Sequence, residues 1–204
     1  MSNPTDNSSD WDVRLTRSPE LFAADATLLL VVDLQERLLS VQPRARQIAF
    51  NTRRLLDAAA ALGVRIAATE QSPNKLGGTS AELRERLPAA PHVKAAFSAS
   101  ACGDIFGALP DAGIDRVVVC GIESHVCIQQ TVLDLLSGAY RVAVPVDAVG
   151  SRFDVDHETA LQRMESAGAV LTTTESMMFE WCETAEAPAF KQISALAKEK
   201  ESAP

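Results

Sequence analysis

No apolar run in the sequence reaches the roughly 18 residues that a membrane-spanning helix requires. The first twelve residues, MSNPTDNSSDWD, are polar and lack the basic start and apolar stretch of a signal peptide. Both absences predict a soluble, unexported, cytoplasmic protein with no membrane partner. The four cysteines, Cys102, Cys120, Cys127 and Cys182, form no CxxC pair and no Cys/His cluster with zinc-site spacing. In a reducing cytosol they are then free thiols, and at least one is available for chemistry. There is no Lys/Arg block, and the formal net charge is -8. Binding a polyanion needs a basic face that releases counterions, so a nucleic-acid partner is excluded. Internal repeats and low-complexity linkers are also missing.

What is present fits one compact domain. With 204 residues, 47% hydrophobic and 23% charged, the chain can bury a sizeable core without disulfide or metal staples. The expected organisation is a polar N-terminal segment, 1–20, followed by a single domain, 21–204. Short β-branched or aliphatic runs alternate with helical segments, the pattern of βαβ units. The strand candidates are 27–33 (TLLLVVD), 64–69, 91–94, 116–120, 141–145 and 169–172. Helix candidates are 43–62, 80–87, 102–109, 124–136 and 156–167, with a C-terminal helical stretch 175–200 broken near Pro188. Gly63, Gly113, Gly138 and Gly168 stand where left-handed caps are expected, and Ser80, Ser124 and Asp156 read as N-caps.

Runs such as LLLVV and VVV are apolar on both faces, as in a parallel sheet covered by helices on each side. The expected fold class is therefore α/β: a doubly wound, Rossmann-like, three-layer α/β/α sandwich around a six-stranded parallel sheet. Ligands bind such sheets at the carboxyl ends of the strands, where the strand order reverses.

Three chemistry-bearing residues fall at those ends. Asp33 closes the first strand directly after LLLVV, as a functional carboxylate or as the cap of the following turn. Cys127 lies after the fourth strand in GIESHVCIQQT, where a cap at Ser124 would put it in a first helical turn that favours a thiolate. Cys120, ending VVVC, reads instead as a buried small hydrophobe. Lys94 follows the third strand inside HVKAAFSAS; its bland reading is a snorkelling strand-end lysine. A carboxylate, an ammonium and a thiol at the ends of three strands are harder to dismiss together than singly.

The order DLQ, VKAAFSA, GIESHVC resembles the isochorismatase-like cysteine hydrolases, over about residue 28 to about residue 198. The strings EQSPNKLGGT, CGIESHVCIQQTVLDLL, DAVGSR and GAVLTTTESMMFEW are similar to the isochorismatase-domain-containing branch. The resemblance implies a catalytic triad of Asp33, Lys94 and Cys127. It also implies a non-proline cis peptide at Ile122–Glu123 that aims a backbone N–H at the reacting oxygen. Asp33 would take the thiol proton, the thiolate would attack an amide-type carbon, and a thioester would form and be hydrolysed. A cysteine at position 127 favours C–N hydrolysis over vinyl-ether cleavage, which needs no thiol. No cofactor is implied. Metal-binding relatives carry histidines after the second strand, whereas this chain reads ATEQSPNKLGG there, so no metal is expected.

Around the triad, Gln35 and Gln71 are pocket candidates or loop-bracing amides. Phe97 supplies an apolar wall or belongs to the core. His125 is two residues from Cys127, so it orients the loop or lines a wall rather than forming a dyad. Glu123 would narrow the pocket or repel anionic substrates. Asp147 and Arg152 are expected to form a structural ion pair. The apolar Met177, Met178, Phe179 and Trp181 cluster must be covered, by its own sheet or by a second subunit. The resemblance favours the second, giving a homo-oligomer, at least a dimer. The partner of the site is a small-molecule substrate. Two other readings compete: a non-catalytic interaction protein using the MMFEW surface, and a redox sensor in which Cys127 oxidises.

Overall fold

A computed structural model describes residues 16–201. Residues 1–15, most of the expected polar N-terminal segment, lie outside the described residues. Seven strands form one sheet: β1 (Thr27–Val32), β2 (Arg65–Gln71), β3 (His92–Lys94), β4 (Arg116–Ile122), β5 (Arg141–Pro145), β6 (Val149–Gly150) and β7 (Val170–Thr172). Nine α-helical elements are described among residues 16–201: α1 (Glu36–Leu39), α2 (Ala45–Leu62), α3 (Pro73–Leu76), α4 (Ala81–Arg84), α5 (Gly103–Phe106), α6 (Gln129–Ser137), α7 (Asp154–Ser166), α8 (Thr174–Cys182) and α9 (Phe190–Lys198). A π-helical turn, Ser124–Ile128, leads from β4 into α6.

The strand order is β3-β2-β1-β4-β5-β7, all parallel, with β6 pairing beside the end of β4. The chain moves outward from β1 to β3, then returns to β4 on the other side of β1. The switch point therefore lies between β1 and β4, the position where a doubly wound sheet opens its crevice.

Period-two alternation along these strands divides the core between two faces. Leu29 and Val31 of β1, with Val118, Cys120 and Ile122 of β4, pack in one cluster with α2, α8 and α9. Leu28, Leu30 and Val32, with Val117 and Val119, pack in the other with residues of α5, α6 and α7. All six β1 residues are buried. This is the three-layer α/β/α arrangement, with six strands along the main path and a two-residue seventh that is too short to read from sequence.

Several local expectations are corrected. Gly138 has φ -80 rather than a left-handed conformation, and the positive φ falls on Ala139 instead. Ser124 is not an N-cap: Glu123 holds that position, and the serine hydroxyl bonds His157. Asp156 sits inside the first turn of α7, behind the cap position Phe153. The short α1 and α3 were not anticipated, because a single turn has no periodicity to detect. The MMFEW run is covered by its own chain: Met177 and Met178 are 0% exposed and Trp181 2%, all within the α2, α8, α9 face. Only Phe179 emerges, so this run leaves no open patch for a second subunit or other partner.

Gly121 sets the spacing between the two central strands at the crevice. Its φ is +122, and a Cβ there would lie 2.0 Å from the Val32 carbonyl oxygen. Only glycine permits both the dihedral and the approach.

Candidate active site

The ends of β1 and β3 and the π-helical turn after β4 deliver Asp33, Lys94 and Cys127 to the switch point, where they are 0%, 4% and 6% exposed. Asp33 follows β1 in a left-handed conformation, φ 54, an uncommon state for a non-glycine residue. That turn sends its carboxylate toward the neighbouring strand ends. Oδ1 accepts the Thr69 hydroxyl at 2.8 Å, and Oδ2 accepts Lys94 Nζ at 2.6 Å. The Thr69 carbonyl in turn accepts the Asp33 amide at 3.1 Å.

Lys94 is fully committed within the protein. Besides Asp33 it donates to Gln71 Oε1 at 2.8 Å and to the Phe97 carbonyl at 2.9 Å, with the Ala96 carbonyl further off at 3.4 Å. An ammonium has three protons, so none remains for a substrate. A buried cation saturated in this way is a fixed charge.

The Cys127 thiol is buried within electrostatic reach of both charged groups, Asp33 and Lys94. Its pKa is pushed up to about 12, chiefly by burial and then by the Asp33 carboxylate, with Lys94 pulling the other way. The resting group is therefore a neutral thiol, and the expected helix-start thiolate is not what the environment favours. The turn beneath it is pinned from two directions. Buried Ser124 Oγ and His157 Nδ1 are 2.9 Å apart, and His125 Nδ1 and Ser151 Oγ are 2.9 Å apart. His125 Nε2 lies 3.9 Å from Asp156 Oδ2, so this imidazole is occupied with the β6–α7 loop. Burial, reinforced by Arg44, keeps His157 below the ordinary histidine range against the pull of Asp154 and Glu158.

The Ile122–Glu123 peptide is cis. Burial alone would raise the Glu123 pKa, but hydrogen bonds from Gln42 and Arg152 and the Arg152 charge outweigh it and hold the carboxyl below its usual range. Its Oε1 accepts Gln42 Nε2 at 3.0 Å, Arg152 Nε at 3.0 Å and the Arg152 amide at 3.3 Å. Glu123 is thus a matched charge and not a bare repulsive one. Arg152 does not pair with Asp147, because the chain after β6 carries it over the Glu123 turn. Asp147 instead accepts the Thr174 amide at 2.8 Å and hydroxyl at 3.0 Å, fixing the start of α8.

Gln35 is buried, and its amide is spent bracing loops: Nε2 donates to the Gln71 and Gly77 carbonyls, while Oε1 accepts the Gln71 amide. Gln71 touches the site through Lys94 rather than through an open face. Phe97 contributes its carbonyl to Lys94, but its side chain is 52% exposed and belongs to no core cluster. Thr69, Ser151 and His157 were missed, and Ser124 was read only as a cap. Thr69 closes the expected strand 64–69, although β2 itself runs on to Gln71, and was open to the same strand-end argument as Asp33, whereas His157 lies 33 residues from its partner and leaves no local signal. Among the described residues, no group of three His, Cys, Asp or Glu side chains is arranged to hold a metal ion.

A doubly wound parallel sheet with a buried carboxylate, ammonium and thiol at its switch point defines an α/β protein of the isochorismatase-like fold. The isochorismatase domain family model matches residues 27–176, and the chain belongs to that family. It is 38% identical over 175 residues to isochorismatase domain-containing protein 2 of Bos taurus, covering 85% of this chain and 84% of that one. It is 36% identical over 180 residues to the secreted isochorismatase effector Isc1 of Phytophthora sojae, with 85% of each covered. Among solved structures, the MAR1 ribonuclease of Caenorhabditis elegans superposes with a TM-score of 0.81 at 34% identity, over 90% of this chain and 95% of that one.

Proposed function

We propose that this member of the family is a hydrolase that cleaves a C–N bond of a small amide-like substrate, with Cys127 as nucleophile. The observation that carries the reading is the thiol set against a buried carboxylate whose other contacts are fixed. Because the resting thiol is neutral, Asp33 takes its proton as sulfur attacks the carbonyl carbon. The oxyanion forms against backbone N–H groups of Cys127 and of the Ile122–Glu123 segment. Lys94 has no free proton, so the proton on Asp33 goes to the leaving nitrogen. That leaves a thioester on Cys127 and releases the amine. Asp33 then activates water, which releases the acid and restores the thiol.

The roles of Asp33, Lys94 and the cis-peptide segment rest on their placement and on the family resemblance. The substrate is kept small: the ribonuclease name describes the nematode relative, and the net charge of -8 in this chain disfavours RNA. A cytoplasmic protein with one domain over 21–204 and no cofactor fits the same reading. The interaction alternative loses its surface with MMFEW buried, and burial of Cys127 disfavours easy oxidation. A screen of small amides, ureides and nitriles with Cys127→Ala as blank tests the proposal. Turnover by the wild type alone supports it; equal turnover by Cys127→Ala overturns it.

A further inference from the structure

Cations held near a candidate active site differ in whether they have donors left to give. Lys94 has none. Arg152 is different: of its guanidinium donors only Nε–H is engaged, on Glu123 Oε1 at 3.0 Å. The four N–H groups of Nη1 and Nη2 have no acceptor among the described residues, and half of the side chain is open to solvent. Glu123, by contrast, is only 12% exposed and accepts three donors on one oxygen.

The position of this fork is fixed by the backbone on either side. Ser151, just before it, bonds His125 on the turn that carries Cys127. Phe153, just after it, starts α7, which packs against that turn. The Arg152 amide is itself bound to Glu123, the residue that follows the cis peptide. A planar fork clamped at Nε and open at both Nη atoms matches a carboxylate bidentately, a geometry that a lysine cannot offer. Glu123 then acts as the clamp that orients the guanidinium.

We propose that Arg152 is a specificity-determining residue whose Nη1/Nη2 edge receives a carboxylate on the substrate, making the substrate class small amides that carry a carboxylate close to the scissile bond. This rests on Cys127 being the nucleophile. An anionic and a neutral alkylating reagent of nearly equal size separate the two claims. Iodoacetate and iodoacetamide are reacted with the intact protein, and the rate at Cys127 is read for each by peptide mapping.

The expected result is an iodoacetate to iodoacetamide ratio that falls at least about tenfold in Arg152→Gln, in keeping with the loss of charge-assisted hydrogen bonds. Arg152→Lys, which keeps the charge and loses the fork, should fall between. In the wild type alone, the ratio should decline as salt is raised. An equal ratio in wild type and Arg152→Gln, or a wild-type ratio indifferent to salt, overturns the carboxylate assignment while leaving the nucleophile standing. Turnover that persists in Cys127→Ala overturns the nucleophile and this proposal with it.

Discussion

Asp33 serves two neighbours at once, accepting Thr69 on one oxygen and Lys94 on the other, and it does so without solvent. Asp33→Asn keeps the size and one acceptor but leaves the Lys94 charge unmatched in a buried site. Turnover should fall by about two to four orders of magnitude, the usual worth of a general base. Stability should also fall, by about 3 to 5 kcal/mol, because breaking a buried pair strands a charge. Urea denaturation beside a turnover assay checks both, and unchanged stability would mean that Lys94 finds another counter-charge. His157 gives a residue-scale prediction in pH. Its folded pKa lies below the ordinary 6.5, so its neutral form contributes stability that is present above 6.5 and lost as pH falls through the lower folded value. The melting temperature should drop on moving from neutral to mildly acidic buffer, and less so in His157→Asn. The lowered Glu123 pKa acts in a more acidic window, below the carboxylate range, and does not confound this comparison. Asp33, Lys94 and Cys127 were legible because the first two stand at strand ends and the third lies in the turn that follows β4. Arg152 was paired wrongly with Asp147, since its true partner, 29 residues away, is chosen by how two loops meet.

At the scale of the element, the crevice depends on β1 and β4 approaching closely at Gly121. Gly121→Ala places a Cβ 2.0 Å from the Val32 carbonyl at φ +122, against backbone that cannot move aside cheaply. A loss of about 3 kcal/mol or more is expected, from overpacking and dihedral strain together. Gly63→Ala offers the control: φ is +73 at the end of α2, with nothing within 4 Å, so only the dihedral cost of about 1 kcal/mol applies. Denaturation midpoints of the two variants should separate clearly; similar midpoints would contradict the close approach. The long elements were readable for a physical reason. Strands buried on both faces and helices of 13 and 18 residues carry enough periodicity to show, and β5 matches its expected range of 141–145. The two-residue β6 and the single-turn α1 and α3 carry none. The π-helical turn was hidden because its residue types also suit an α-helix.

For the whole molecule, the burial of MMFEW removes the sequence argument for self-association but does not remove exposed apolar side chains. Val41, Val93, Phe97, Phe153 and Val155 are each more than half exposed. A homo-oligomer remains the proposal on those residues, and light scattering at micromolar concentration should give a mass above the 21.8 kDa of one chain. Alkaline stability is a second global property. Cys127 and Cys120 are both pushed up to about 12, so each contributes stability present below the ordinary thiol range and lost as pH rises toward 12.

The central claim is covalent catalysis at Cys127, and it is tested most directly by acid-quenching a turning-over reaction and measuring intact mass. The account predicts an acyl adduct that maps to Cys127, disappears as substrate is exhausted, and is missing in Cys127→Ala. Turnover without any adduct, accompanied by near wild-type activity of Cys127→Ser, would contradict it.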